Sequence, residues 1–214
     1  MVEYAVIFPA LSEEPAIWQA LADTLAAEAA EAGEPAEADA RRVQRLAGGD
    51  EAALQELFDK WKRPLLGFFY RSLGSRADAE DLTLEVFVRL HRSAARYEPA
   101  ARFSTYLFHI AHNLLLNELR RRRRKPAQPA APAAFDYLAG GEGDSARRLA
   151  ELEEVFQRAL ERLPEKYRTP LLLVKQQQLD YPAAAAALRL TENALRVLVH
   201  RGRQLLKTEM EALS

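Results

Sequence analysis

The chain has 214 residues, 49% hydrophobic and 8% aromatic, enough to bury a core and to divide it between one or two domains. It has no cysteine, which excludes disulfides, thiolate metal sites and cysteine nucleophiles and agrees with a cytoplasmic location. The formal net charge of −1 hides an asymmetry: residues 1–40 hold nine acids and no Lys or Arg, leaving 22 acids against 30 bases in the rest. A basic body suits a polyanionic partner, and an acidic arm suits a competitor for the same surface.

The first residues, MVEYAVIF, have strand-like composition but no visible partner and no basic n-region, so they do not read as a signal peptide. No apolar run approaches the length of a membrane span, so membrane insertion is not expected. Ser12, Glu13, Glu14 and Pro15 form a helix start, Ile17, Leu21 and Leu25 line one face over 13–31, and Gly33-Glu34-Pro35 ends it.

From 41 to 125 the pattern is helical. Val43, Leu46, Leu54, Leu57, Phe58, Trp61, Leu65 and Phe68 supply an apolar face, interrupted at Gly48-Gly49-Asp50 and at Gly74. A further helix over 77–96 carries Leu82, Val86, Phe87 and Leu90. Pro99 disfavours helix at Glu98, so 97–102 reads as a loop. Residues 103–124 form one long helix that ends in NELRRRRRKP.

Residues 126–146, with prolines in one half and glycines in the other, read as a flexible linker. A second helical domain spans 147–214, opening with a stripe of Leu149, Leu152, Val155, Phe156, Leu160 and Leu163 that Pro164 stops. DYPAAAAALRL then predicts a short helix and a turn at Arg189-Leu190, and TENALRVLVHRGRQLLK a second helix capped by Thr191. Leu195, Val199, Leu205 and Leu206 are expected to face the core, with Asn193, Arg196, His200, Arg201 and Arg203 outward. Such a pair is a helix-turn-helix pattern, because only a polar, cationic helix face reaches base edges and phosphates in a major groove. From this segment alone, a surface hairpin with solvated arginines stands level with it. The expected fold is all-α: two small helical domains on a flexible linker, behind an acidic extension over 1–40.

The order of these blocks resembles the two-domain bacterial sigma factors of the extracytoplasmic-function group (group 4). The resemblance covers 41–125 and 148–210; it is strong in the first, where DAEDLTLEVFVRL is a specific signature and FSTYLFHIAHNLLLNELRRRRRK resembles the helix that reads the −10 element, and weaker in the second. It implies a sigma domain 2 over 41–125, which binds core RNA polymerase and reads and melts the −10 element. It implies a sigma domain 4 over 147–214, which reads the −35 element of promoter DNA, and an anti-sigma factor as a possible partner.

By that resemblance Asp78, Glu80, Asp81, Glu85 and Arg89 dock on the polymerase clamp, with Leu84 where a glutamine is common. Tyr97, Arg102, Phe103, Ser104 and Tyr106 belong to the part that captures a flipped −10 base, a task needing a pocket and aromatic or cationic surfaces. His109 and His112 stand where arginines are usual, and Asn113 and Asn117 continue their face. The −35 group is Arg189, Thr191, Asn193, Arg196, His200, Arg201 and Arg203. Arg189 replaces a common turn glycine, and Val197 and Leu198 occupy positions usually serine and arginine, so a weak or altered −35 preference is expected.

Arg120, Arg121, Arg122, Arg123, Arg124 and Lys125 point all round a helix of about 3.6 residues per turn. They therefore suit phosphate contact rather than base reading, with the acidic arm as counter-charge. His109 and His112 have metal spacing but no third ligand, so neither metal nor cofactor is expected. A helix-turn-helix regulator that never engages polymerase is the rival reading. With four scattered histidines, no cysteine and no glycine-rich phosphate loop, an enzyme is the reading the residues support least.

Overall fold

The computed structural model describes residues 36–98, 102–124, 144–177 and 179–213, and every regular element among them is helical. The helix expected over 13–31, most of the linker, and Lys125 lie outside the described residues. The helices are α1 (Ala36–Ala47), α2 (Glu51–Leu73), α3 (Arg76–Ser93, followed by a 3-10 turn Ala94–Arg96), α4 (Phe103–Arg124), α5 (Asp144–Arg162), α6 (Glu165–Lys175), α7 (Tyr181–Leu188) and α8 (Glu192–Glu211).

Side-chain caps set the boundaries. Asp50 accepts from the Ala52 amide at 3.0 Å to start α2, and Ser75 accepts from the Asp78 amide at 3.3 Å to start α3. Asp180 accepts from Ala183 at 2.8 Å and Thr191 from Ala194 at 3.2 Å, which starts the last two helices. Between those two, Arg189 sits at φ 56°, a left-handed conformation that glycine adopts without the Cβ penalty Arg189 bears.

Helix α1 begins within the span read as the acidic extension. Its Asp39 is 3% exposed, pairs with Lys60 at 2.9 Å and Arg42 at 3.0 Å, and accepts from Trp61 Nε1 at 3.2 Å. That acid anchors the core instead of belonging to a solvated arm. Trp61 meets Phe103 and Phe108 edge-on at 5.9 and 6.2 Å, with Leu57, Leu65, Phe68, Val86, Leu90 and Leu107 closing around them. Each such side chain stabilises the domain by about 1.5–3 kcal/mol. In the second half Phe156, Leu160, Leu163, Leu171, Leu173, Leu195, Val199 and Leu206 form the core. Leu205, expected inward, is instead 38% exposed, because Leu206 and Met210 take the inward positions of α8.

The two halves also pack on each other, through α2 against α5 and α6 and through α4 against α7. Arginines from both halves cap the C-terminal carbonyls of α2, groups that a helix leaves unpaired. Arg168 donates to Ser72 O at 2.5 Å and Arg122 to Leu73 O at 2.9 Å. Burial pushes the Arg168 pKa down, while the buried Arg71 pairs with Glu153 of α5.

Candidate functional site

Three surfaces gather most of the predicted residues. On α3, Glu80 and Asp81 are exposed and Glu85 and Arg89 half-buried, with Arg76–Glu80 and Glu85–Arg89 ion pairs at 2.9 Å along the helix. Leu84, 54% exposed, and Val88, 41% exposed, lie among these charges, two large apolar side chains left largely open by the described residues. A strip mixing exposed aliphatics with carboxylates is a protein-docking chemistry, since the apolar groups supply area and the charges supply orientation. Val88 was missed from sequence because a valine in an amphipathic helix reads as core.

Asp78 does not share that strip. It turns toward α4 and meets Arg122 at 2.5 Å and Arg121 at 3.8 Å. Glu118, only 9% exposed, completes the cluster, bonding Arg121 at 2.6 Å and Arg122 at 3.0 Å. The arginine run thus finds counter-charge in its immediate neighbours, which corrects the assignment of that charge to the acidic arm. Arg122 is a structural member of the run. Arg120 donates to Asn117 at 3.2 Å, and Arg123 and Arg124 are exposed.

The second surface is the N-terminal half of α4 with the segment before it. Tyr97 and Tyr106 stack tilted at 5.1 Å, Tyr106 Oη is 2.7 Å from Ser93 Oγ, and Ser104 is half-buried beside them. Tyr97, Glu98, Thr105, Tyr106 and His109 line a cleft of about 280 Å³ whose far wall is Ala186 and Arg189. Phe103, grouped by sequence with the base-capturing residues, is 1% exposed and packs on Trp61 and Tyr97. It is a core residue beneath the cleft, because its position at the start of α4 faces the helix bundle.

His109 Nδ1 lies 2.9 Å from Ala187 O, and its Nε2 lies 3.1 Å from Asn113 Nδ2 and 3.2 Å from Arg189 Nη2. A carbonyl only accepts, so Nδ1 donates and Nε2 accepts from both neighbours. His112 is half-buried, and burial together with His109 nearby lowers its pKa to about 4. Among the described residues no three His, Cys, Asp or Glu side chains converge on a metal-sized site. Arg102 is exposed and pairs with Asp180 at 3.3 Å.

The third surface is the outer face of α8. Asn193, Arg196, His200 and Arg201 are exposed and Arg203 half-buried, and Val197 is 50% exposed in their midst. Arg196 is held by Glu192 at 2.5 Å and lies over the Tyr181 ring at 4.4 Å, while Thr191 is committed to its cap. Arg201 and Lys166 hold the Tyr167 hydroxyl and lower its pKa. Gly202, unremarked in the sequence, lets α8 approach α6: a Cβ there would sit 3.1 Å from Tyr167 O. Arg189 points away from this face, toward His109.

The Sigma-70 region 2 model matches residues 57–125, and the Sigma-70, region 4 model matches 153–206. The chain is 27% identical over 192 residues to the ECF RNA polymerase sigma factor SigW of Bacillus subtilis, covering 81% of this chain and 97% of that protein. It is 32% identical over 166 residues to the ECF RNA polymerase sigma factor SigE of Mycolicibacterium smegmatis, covering 75% and 64%. The chain belongs to the extracytoplasmic-function sigma factors. The fold of this sigma factor is similar to that of CnrH, solved with the cytosolic domain of CnrY, at TM-score 0.59, 22% identity and coverage of 83% and 99%. It is also similar to the sigma factor RpoE of Bartonella quintana, solved with the anti-sigma factor NepR, at TM-score 0.60, 20% identity and coverage of 73% and 96%. No described helix of the sigma factor is long and apolar enough to cross a membrane.

Proposed function

We propose that this sigma factor divides promoter recognition among the three surfaces just described, with domain 2 spanning 36–125 and domain 4 spanning 147–214. The α3 strip of Glu80, Asp81, Leu84, Glu85, Val88 and Arg89 docks on core RNA polymerase. The α4 cleft receives an extruded −10 base against the Tyr97–Tyr106 pair, and Ser104, His109, Asn113 and Asn117 contact the strand and its base edges. Arg120, Arg123 and Arg124 hold phosphates, and the outer face of α8 enters the −35 major groove. The sigma factor works in the cytoplasm, where its polymerase and promoter are.

The observation that carries this reading is the cleft: paired tyrosines, a histidine and Arg189 line one opening, and the Asn113 amide is bonded to that histidine. Base capture requires stacking surfaces, hydrogen-bonding groups and backbone cations together. An anti-sigma partner and an acidic N-terminal extension over 1–35 that modulates DNA binding belong to the same proposal. They are supported by relatives solved with such partners and by the absence of Lys and Arg from that segment.

Site-specific photocrosslinking of the holoenzyme tests the assignment. A probe at Asn117 is expected to label the −10 region of promoter DNA and a probe at Asn193 the −35 region. Exchange of the two patterns, or no DNA label from either, would overturn it.

A further inference from the structure

Arg196 stands in the second turn of α8 with its side chain 56% exposed, yet it is not a loose cation. Its Nε and Nη2 both donate to Glu192 Oε1, at 3.1 and 2.5 Å, which fixes one edge of the guanidinium along the helix. The ring of Tyr181, the first residue of α7, has its centroid 4.4 Å from Arg196 Cζ and covers one face. The described residues give Nη1 no hydrogen bond. The end of the fork, Nη1 with the second hydrogen of Nη2, is therefore open and held in one orientation from an edge and a face. Neighbouring cations are placed differently: Arg201 bonds the Tyr167 hydroxyl on α6, and Arg203 is half-buried farther along the helix.

That geometry has a matching ligand. In the major groove guanine presents N7 and O6 side by side, two acceptors that a planar guanidinium meets with two parallel hydrogen bonds. No other base edge offers that pair. Recognition helices reach base edges with their N-terminal residues, which is where Arg196 stands. A free arginine gives up side-chain freedom when it binds. One already clamped keeps more of the interaction for discrimination between bases. A phosphate contact needs no such aiming, because charge alone serves it.

We infer that Arg196 reads a guanine in the −35 element and that Tyr181, which is not on α8, is the positioning residue that aims it, with Glu192 fixing the other edge. The helix-turn-helix then works as a unit: the first helix supplies a plate and the second the fork that lies on it. The inference rests on the assignment of the α8 face to the −35 groove. Tyr181 is open to substitution, because the cap of α7 is the neighbouring Asp180, which accepts from the Ala183 amide whatever ring follows it.

Holoenzyme transcription from a promoter library randomised at both elements tests it with four variants of the full chain. Wild type is expected to prefer guanine at one −35 position by about fivefold or more over any other base. Arg196→Lys keeps the charge and loses the fork. It should erase that preference and leave the slope of log affinity against log salt unchanged. Tyr181→Phe keeps the ring face and should select as wild type does. Tyr181→Leu keeps bulk without the face, so the guanine preference should fall about two- to fivefold while −10 selection, which reports a folded holoenzyme, stays the same. Glu192→Ala leaves α7 untouched. It should lower the same preference while raising affinity for all promoters, since it removes a carboxylate from a DNA-facing surface.

A −35 selection without guanine, or one that Arg196→Lys retains, overturns the guanine contact. Full preference in Tyr181→Leu, or equal loss in Tyr181→Phe and Tyr181→Leu, overturns the positioning role; so does full preference in Glu192→Ala for the second clamp. Failure of the underlying assignment looks different: wild type selects no −35 base at all, and the probe at Asn193 labels no −35 DNA.

Discussion

Arg122 and Asp78, from the two ends of domain 2's recognition apparatus, are bonded to each other at 2.5 Å. The sequence placed Arg122 in a phosphate-binding run and Asp78 in a polymerase-docking patch. The structure binds them into one cluster with the buried Glu118 and the terminal carbonyl of α2 at Leu73. A nearly buried carboxylate bonded by two arginines is part of the folded framework, so this part of the run is fixed by folding before DNA arrives.

Arg122→Ala is therefore expected to destabilise the protein by about 1–3 kcal/mol, because the Leu73 carbonyl loses its side-chain donor and Glu118 keeps Arg121 alone. Thermal unfolding measures it. An unchanged melting temperature would show that neither the Leu73 carbonyl nor Glu118 depends on Arg122.

Arg123 and Arg124 carry the complementary expectation, because both are exposed. Replacing either with alanine should leave the melting temperature unchanged and weaken holoenzyme binding to all promoters alike. Each should lower the slope of log affinity against log salt by about 1, as one fewer counterion is released. A change in the preferred −10 sequence would contradict a phosphate role.

Leu84 and Val88 make the docking strip testable apart from its charges. Leu84→Glu with Val88→Glu should leave stability within about 0.5 kcal/mol, since both side chains are exposed in the free protein. It should weaken binding to core polymerase by at least tenfold, about 1.4 kcal/mol. Titration of labelled sigma factor with core polymerase reads this, and equal affinity would remove the strip from the interface.

The pH dependence follows from His112. Its folded pKa of about 4 lies below the ordinary 6.5, so between those values the unfolded chain binds more protons than the folded one. Stability should fall as pH drops from 6.5 toward 4, and His112→Gln should flatten the denaturation profile in that window. An unaltered profile would mean that other groups set the acid limb.

The helices were legible in the sequence because their punctuation is local. Asp180 and Thr191 are polar caps beside apolar periodic runs, Pro164 precedes a helix, and the 103–124 helix is read to the residue. What the sequence could not convey depends on facing partners. Phe103 and Tyr106 are both aromatic at the start of α4, yet one is core and the other lines the cleft. Gly67 and Arg189 each look like a local misfit. A Cβ at 67 would sit 3.0 Å from Gln176 Nε2, and the Arg189 guanidinium reaches His109. Each is explained by a residue of the other domain, more than 75 positions away, and no periodicity reports such a contact.

The account's central claim is that this chain lends promoter choice to RNA polymerase through the α4 cleft and the α8 face. In vitro transcription with core polymerase from a promoter library randomised at both elements tests it most directly. The predicted result is transcripts from a subset of promoters sharing one −10 motif, with Asn113→Ala changing the bases selected at −10 and leaving those at −35 untouched. Transcription no greater than core polymerase alone, or selection indifferent to −10 sequence, would contradict it.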